Sequence, residues 1–451
     1  MTTGAQAPEA AGTGARSTEF LERHGTHLLV LLLLIALASR LPGIATWWLN
    51  PDEGIYFSVA SWPSWSDFAA DLVTEPHPPL YYSLLRCILH FGDSLLLLRL
   101  PSLLAWLFGI HALYLLTRQL LDKRSALMAA LLLVVASYAW TSAVLIRSYS
   151  LWLCLQLYAL AFLVQWLQTH RRRSLILSSL FWCLSLATHY FATTFMPLAL
   201  LLVLWDQRRR SFPRQELRLL AWCALPILLL GILLFQFHFR AALLENAGQR
   251  AAQQRALGDA FEGGVALLSL FQLLAPPFAI FATCWLLWLG ILRGWQDRHR
   301  LALFVLLFPL LQSIALWAAG LYPLSGSRHN YPLAVLLLPI IAIGCLSLFH
   351  RPWWPLLTLL GLLALGASWN WISDLGGGPG LPGRVIEQRI STRTILASPV
   401  WQRLRDGETL ILAHQTLYPH LPTFHRRTPA RAPARGPDWP LTPPDEGTAP
   451  A

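Results

Sequence analysis

The chain reads as a succession of apolar runs, each about twenty residues long, separated by short polar clusters. Leu, Ala, Ile, Val and Phe fill the runs, and the strict apolar–polar alternation of a half-exposed strand or a membrane barrel is missing. Runs of that length match the hydrocarbon thickness of a bilayer when wound as helices, in which every backbone group is satisfied within its own segment. Spans are expected near 27–42, 95–117, 125–145, 149–169, 174–189, 190–205, 217–238, 264–292, 301–320, 331–349 and 353–371. The fold class is therefore all-α, a polytopic transmembrane helical bundle of about eleven spans. Segment 77–94 is apolar but short, and is expected to pack as a helix at the outer interface.

Between the spans the basic residues fall into two alternating sets. Arg118, Lys123, Arg124, Arg171, Arg172, Arg173, Arg208, Arg209, Arg210, Arg214, Arg218, Arg293, Arg298, Arg300 and Arg351 make one, and Arg86, Arg147, Arg240, Arg250, Arg255 and Arg328 the other. The richer set marks the cytoplasmic side, which puts the N-terminus inside and the C-terminal tail outside. Residues 1–25 are rich in Gly, Ala and Thr and are expected to be a disordered cytoplasmic lead. Residues 26–371 form the membrane domain. Residues 372–451 are an external tail, with a small module around 409–413 and a disordered end.

Composition agrees with this layout. Only 13% of the 451 residues are charged and 55% are hydrophobic, where a soluble domain carries roughly a quarter charged. The net charge of +11 does not point to nucleic acid, because its arginines sit in the clusters that orient the spans. The six cysteines are scattered in or beside apolar runs without a C-x-x-C pair and read as small packing residues.

Candidate chemistry gathers outside the membrane. The first external loop, 42–77, holds Asp52, Glu53, Asp67, Asp71 and Glu75 with no Lys or Arg. Two amphipathic segments near 52–61 and 64–74 are expected to lie on the membrane surface. Its Trp, Tyr and Phe residues suit an interfacial belt or sugar stacking. Asp52-Glu53 emerges directly after the first span, where a carboxylate can take the proton of an attacking hydroxyl; a helix cap would also explain Asp52. In Glu75-Pro76-His77-Pro78-Pro79-Leu80-Tyr81-Tyr82 the prolines fix the direction of His77, as a phosphate ligand, as a metal ligand with Glu75, or as part of a turn. Arg99, Arg147 and Arg328 sit at outer span ends. Each either snorkels to lipid headgroups or offers its guanidinium fork to a phosphate.

In this order, Pro51-Asp52-Glu53, His77-Pro78-Pro79-Leu80-Tyr81-Tyr82, Arg99-Leu100-Pro101-Ser102, Arg147-Ser148-Tyr149-Ser150-Leu151, Thr188-His189-Tyr190-Phe191 and Arg328-His329-Asn330-Tyr331-Pro332-Leu333 resemble the GT-C superfamily of membrane glycosyltransferases. The bacterial branch related to protein O-mannosyltransferases and lipid A aminoarabinose transferases is the nearest in pattern. The resemblance covers about 28–205 and the late Arg328 motif. It implies an inverting glycosyltransferase that takes a sugar from a polyprenyl-phosphate donor in the bilayer. The acceptor is a hydroxyl on a lipid, a glycan or a protein. It further implies Asp52 as catalytic base beside Glu53, with His77, Arg99, Arg147, Arg328, Tyr81, Tyr82 and His189 around the substrate phosphate and cavity. The motifs depart from the family at Leu145, where relatives commonly carry an acid two residues before the Arg of Arg-x-Tyr. No cofactor is required by the sequence, and a divalent metal near the first-loop acids is compatible with it but called for by no residue pattern. The competing reading is a transporter or flippase for a lipid-linked sugar, against which stand the absence of paired halves and the placement of the acids outside the spans.

Overall fold

The computed structural model describes residues 10–46, 51–73, 75–240, 268–275, 279–319, 324 and 328–348, without the side chains of 10–22, 42, 43, 45, 46, 51, 52, 140 and 239. Every regular element among them is helical. In chain order these are α1 (Ala10–Thr46), α2 (Pro51–Ala60), α3 (Trp65–Leu72), α4 (Leu80–Leu89), α5 (Leu95–Leu120), α6 (Lys123–Val135), α7 (Ser137–Ser142), α8 (Tyr149–Thr169) and α9 (Arg172–Thr188). After a 3₁₀ turn at Tyr190–Phe195 come α10 (Met196–Arg210) and α11 (Arg214–Leu234), which runs into a π turn, and then α12 (Ile280–Gln296) and α13 (Arg300–Ala318). Another 3₁₀ turn, Arg328–Asn330, opens α14 (Tyr331–Val335) and α15 (Leu338–Ser347).

Six of these helical stretches are long and apolar enough to cross a membrane: Arg23–Leu41, Leu95–Leu120, Tyr149–Thr169, Tyr190–Arg210, Arg214–His238 and Arg300–Ala318. The bent pair Arg328–Val335 and Leu338–Ser347, at 45° to each other, makes up to seven. Each lies on a span expected from the sequence, and α4 falls where a short helix was expected within 77–94. Three expectations differ in detail. The helix of the first span starts at Ala10, inside the segment expected to be disordered, where Ala, Glu, Leu and Arg residues favour helix. The expected span 125–145 is two helices, α6 and α7, broken at Ala136, whose ψ is 136°. Among the described residues of the expected 264–292, the long helix is Ile280–Gln296. The expected span 353–371 and the tail 372–451 lie outside the described residues.

Helix starts follow local chemistry. The Ser64, Ser94 and Asp122 side chains accept the backbone N–H of Asp67, Leu97 and Ser125 at the heads of α3, α5 and α6, which satisfies donors that a helix start leaves orphaned. α8 is the most enclosed long span: 72% of its apolar window is buried, against 11% for the Arg214–His238 span at the periphery. α5 and α9 flank α8. α12 meets α15 backbone to backbone. A Cβ added at Gly290 would lie 1.9 Å from the Ile340 carbonyl oxygen, and one at Gly344 would lie 2.0 Å from that of Leu286. Only glycine permits an approach so close.

Candidate active site

The N-termini of α2, α5, α8 and α14 and the C-terminus of α9 meet at one end of the bundle, and the loop residues 75–79 lie across them. There, two layers of side chains form the site.

The lower layer is a buried polar lock. Glu53 is fully buried. Its Oε1 accepts the Ile146 backbone N–H at 2.7 Å, and its carboxylate faces Arg99 Nε and Nη2 at 3.4 and 3.5 Å. Arg99, also fully buried, donates to the Ile44 carbonyl at 3.0 Å near the end of α1. The Tyr81 hydroxyl and Ser102 Oγ are 2.7 Å apart, and Ser102 donates to the Arg147 carbonyl at 3.1 Å, so Tyr81 is the donor in that pair. The Tyr56 hydroxyl lies 3.1 Å from Ser148 Oγ.

The upper layer is aromatic and basic. Tyr56 and Tyr82 stack at 4.4 Å, and the Tyr82 hydroxyl donates to Glu75 at 2.9 Å. His77 rests on the Tyr56 ring at 5.9 Å and approaches the rings of His189 at 5.0 Å, Tyr149 at 6.1 Å and His329 at 6.3 Å. The Arg147 guanidinium stands 5.3 Å over Tyr56 and 5.6 Å over Tyr149, and that of Arg328 stands 5.7 Å from Tyr149. Two guanidinium groups and three imidazoles thus surround one tyrosine ring. Burial, then the neighbouring His329, Arg147 and Arg328, hold the His77 pKa well below its ordinary value, so its ring is neutral at neutral pH.

His189 has its tautomer set by the fold. Its Nδ1 accepts the Phe191 backbone N–H at 3.2 Å, capping the 3₁₀ turn. The neutral ring then carries its proton on Nε2, a buried atom with no hydrogen-bond partner among the described residues. Trp152 stacks on this ring at 4.2 Å, and its buried Nε1–H likewise meets no acceptor among the described residues. A buried donor without a partner costs about 1–3 kcal/mol, a cost that an incoming oxygen would remove.

Of the residues marked from sequence, Glu53, His77, Tyr81, Tyr82, Arg99, Arg147, His189 and Arg328 come together at this end of the bundle. Asp52 is the second residue of α2; its side chain lies outside the described residues. Glu53, Arg99 and Tyr81 are the buried supports, while His77, Arg147, Arg328, Tyr82 and His189 make the upper layer. Ser102 and Ser148 lay inside the marked motifs and Tyr56 among the loop aromatics without a role of their own, and Trp152 was not marked. Trp152 was within reach, because it lies one helical turn beyond Tyr149 of the Arg-x-Tyr motif. Among the described residues no group of three His, Cys, Asp or Glu side chains is arranged to hold a metal ion.

With this geometry in view, the comparisons with known proteins fall into place. The chain has the fold of ArnT from Cupriavidus metallidurans bound to undecaprenyl phosphate, with a TM-score of 0.53 at 16% identity, covering 89% of this chain and 75% of that one. It also has the fold of the apo Archaeoglobus fulgidus oligosaccharyltransferase, with a TM-score of 0.53 at 13% identity, covering 90% of this chain and 64% of that one. No curated protein sequence matches the chain. The class is therefore that of polytopic membrane proteins with the fold shared by these two structures. Within it, residues 76–234 match the family described as dolichyl-phosphate-mannose-protein mannosyltransferase, and the resemblance read from the ordered motifs is borne out.

Proposed function

We propose that the protein is an inverting glycosyltransferase that moves a sugar from a polyprenyl-phosphate donor to a hydroxyl acceptor at the outer face of a bacterial inner membrane. The observation that carries this reading is the paired guanidinium groups of Arg147 and Arg328 around Tyr149, with the His189 ring 5.6 Å from that tyrosine and Trp152 one helical turn beyond it. A site so rich in donors suits a phosphate oxygen, and the negative charge that grows on a leaving phosphate is where such groups stabilise a transition state. The undecaprenyl phosphate bound by ArnT has the chemistry this proposal assigns to the leaving group.

In the proposed reaction the Asp52 carboxylate takes the proton of the acceptor hydroxyl. The acceptor oxygen bonds to the anomeric carbon from the face opposite the phosphate. The bond from that carbon to the phosphate oxygen breaks, and its electron pair leaves with the lipid phosphate. His77, neutral beside two arginines, donates a hydrogen bond and adds no positive charge. Arg99 and Glu53, closed on each other, hold the helix that carries Asp52.

The test is transfer from radiolabelled polyprenyl-phosphate sugars in membranes containing wild type or Asp52→Asn. Loss of a general base lowers rates about 10²–10⁴-fold, so labelled product is expected with wild type and a hundredfold or greater drop with the variant at equal protein level. Equal transfer by both would remove Asp52 as the base.

A further inference from the structure

The backbone of Arg147 is held on every side. Its own N–H donates to the Leu145 carbonyl at 2.8 Å, and its carbonyl accepts from Ser102. The residue before it, Ile146, gives its N–H to Glu53, and the residue after it, Ser148, meets the Tyr56 hydroxyl. Glu53 and Tyr56 are both on α2, three residues apart and so on one helical face. Glu53 directly follows Asp52. One face of a ten-residue helix therefore grips the chain immediately before and after Arg147, while the same helix carries Asp52 at its head.

We propose that Glu53 and Tyr56 are positioning residues that set the register between Asp52 and Arg147, so that the base and the phosphate-binding guanidinium move as one unit. This rests on the glycosyl-transfer reading. Neither residue needs to touch the substrate. Glu53 is closed on Ile146 and Arg99, and Tyr56 lies under the rings of Tyr82 and His77. The geometry asks for such a device because the two groups come from helix starts 95 residues apart in sequence, and small misplacements in a site of this kind are costly. The device also gives the second acid of the pair a role of its own: neighbours in a helix point about 100° apart, and Glu53 turns into the protein.

Removing the Glu53 carboxylate would leave Arg99 buried without its partner and threaten folding, so the decisive variant is Tyr56→Phe, which loses one hydroxyl and keeps the stack. Four proteins are compared: wild type, Tyr56→Phe, Arg147→Lys and the double variant. Each is measured for sugar transfer and for the rise in thermal midpoint produced by undecaprenyl phosphate. Tyr56→Phe is expected to lower transfer about fivefold or more and to shrink the lipid-induced rise, with an unliganded midpoint near that of wild type. In the Arg147→Lys background the same change should add little, since residues acting through one another are not additive. Glu53→Gln, which keeps an oxygen for the Ile146 N–H, should retain more activity than Glu53→Ala. Equal losses from Tyr56→Phe in both backgrounds, or a midpoint that falls in step with activity, would overturn the proposal. A wild type that neither transfers sugar nor responds to the lipid would remove the functional reading and the register device with it; a responsive wild type with additive variants removes the device alone.

Discussion

At the scale of single residues, the site depends on groups whose protonation or tautomer is set by their surroundings. His77 is the clearest case for pH. Its pKa in the folded protein is well below 6.5, so the unfolded chain takes up the proton first as the medium becomes acidic. The stability contributed by a neutral His77 is complete above about pH 6.5 and falls as the pH drops towards the folded value. Wild type should therefore lose more thermal midpoint between pH 7.5 and 5.5 in detergent than His77→Gln, whose amide does not titrate. An equal loss in the two proteins would mean that His77 is as free to protonate as a surface histidine. Sequence alone marked His77 and its flanking prolines, but not its neutrality, because the rings that enclose it come from residues 56, 149, 189 and 329. The acid pair was legible as a pair. That Glu53 turns inward was not, since Arg99 and the Ile146 amide that claim it lie 46 and 93 residues away.

At the scale of elements, hydropathy located the long spans and missed a break. Nothing in the sequence around Ala136 is a helix breaker; neither Gly nor Pro is present. The chain leaves the helix there because Ser137 and Tyr138 give their amides to the carbonyls of Leu274 and Leu273, at 3.3 and 3.0 Å. That exchange of local for distant hydrogen bonds leaves no local signal. The short helices α2 and α3 were easier to read, since Pro51 and the Pro63-Ser64 pair mark their beginnings. The α12–α15 contact makes a sharper prediction. Replacing Gly344 by Val places side-chain carbon against the Leu286 carbonyl, and overpacking of this kind costs about 1–3 kcal/mol or more. Gly344→Val should fold at a markedly lower thermal midpoint, while Gly231→Val on peripheral α11, where an added Cβ meets nothing within 4 Å, should change it little. Comparable midpoints for the two variants would show that the close crossing does not bear on stability.

For the whole molecule, the distribution of arginines predicts which end faces out, and the cysteines offer a direct check. Cys87, on α4 beside the site, is exposed, whereas Cys154, Cys223 and Cys345 are buried and Cys183 and Cys284 are partly covered. A membrane-impermeant maleimide added to spheroplasts should label wild type and fail to label Cys87→Ser. Labelling that appears only after the membrane is opened would invert the topology and place the site on the cytoplasmic side.

The spans also differ in how much they need one another. The peripheral Arg214–His238 stretch has the highest mean hydropathy, 2.3, and the least burial; enclosed α8 has 1.6 and the most. During synthesis the former can partition into lipid unaided. α8, which brings Ser150 and Gln156 into the bilayer, settles at lower energy only once the Ser185 hydroxyl of α9 has met Gln156 and α5 has closed on its other side. The helix on which the site is built is thus a late and dependent arrival, and faults in biogenesis should appear there as silent, fully inserted chains that lack activity.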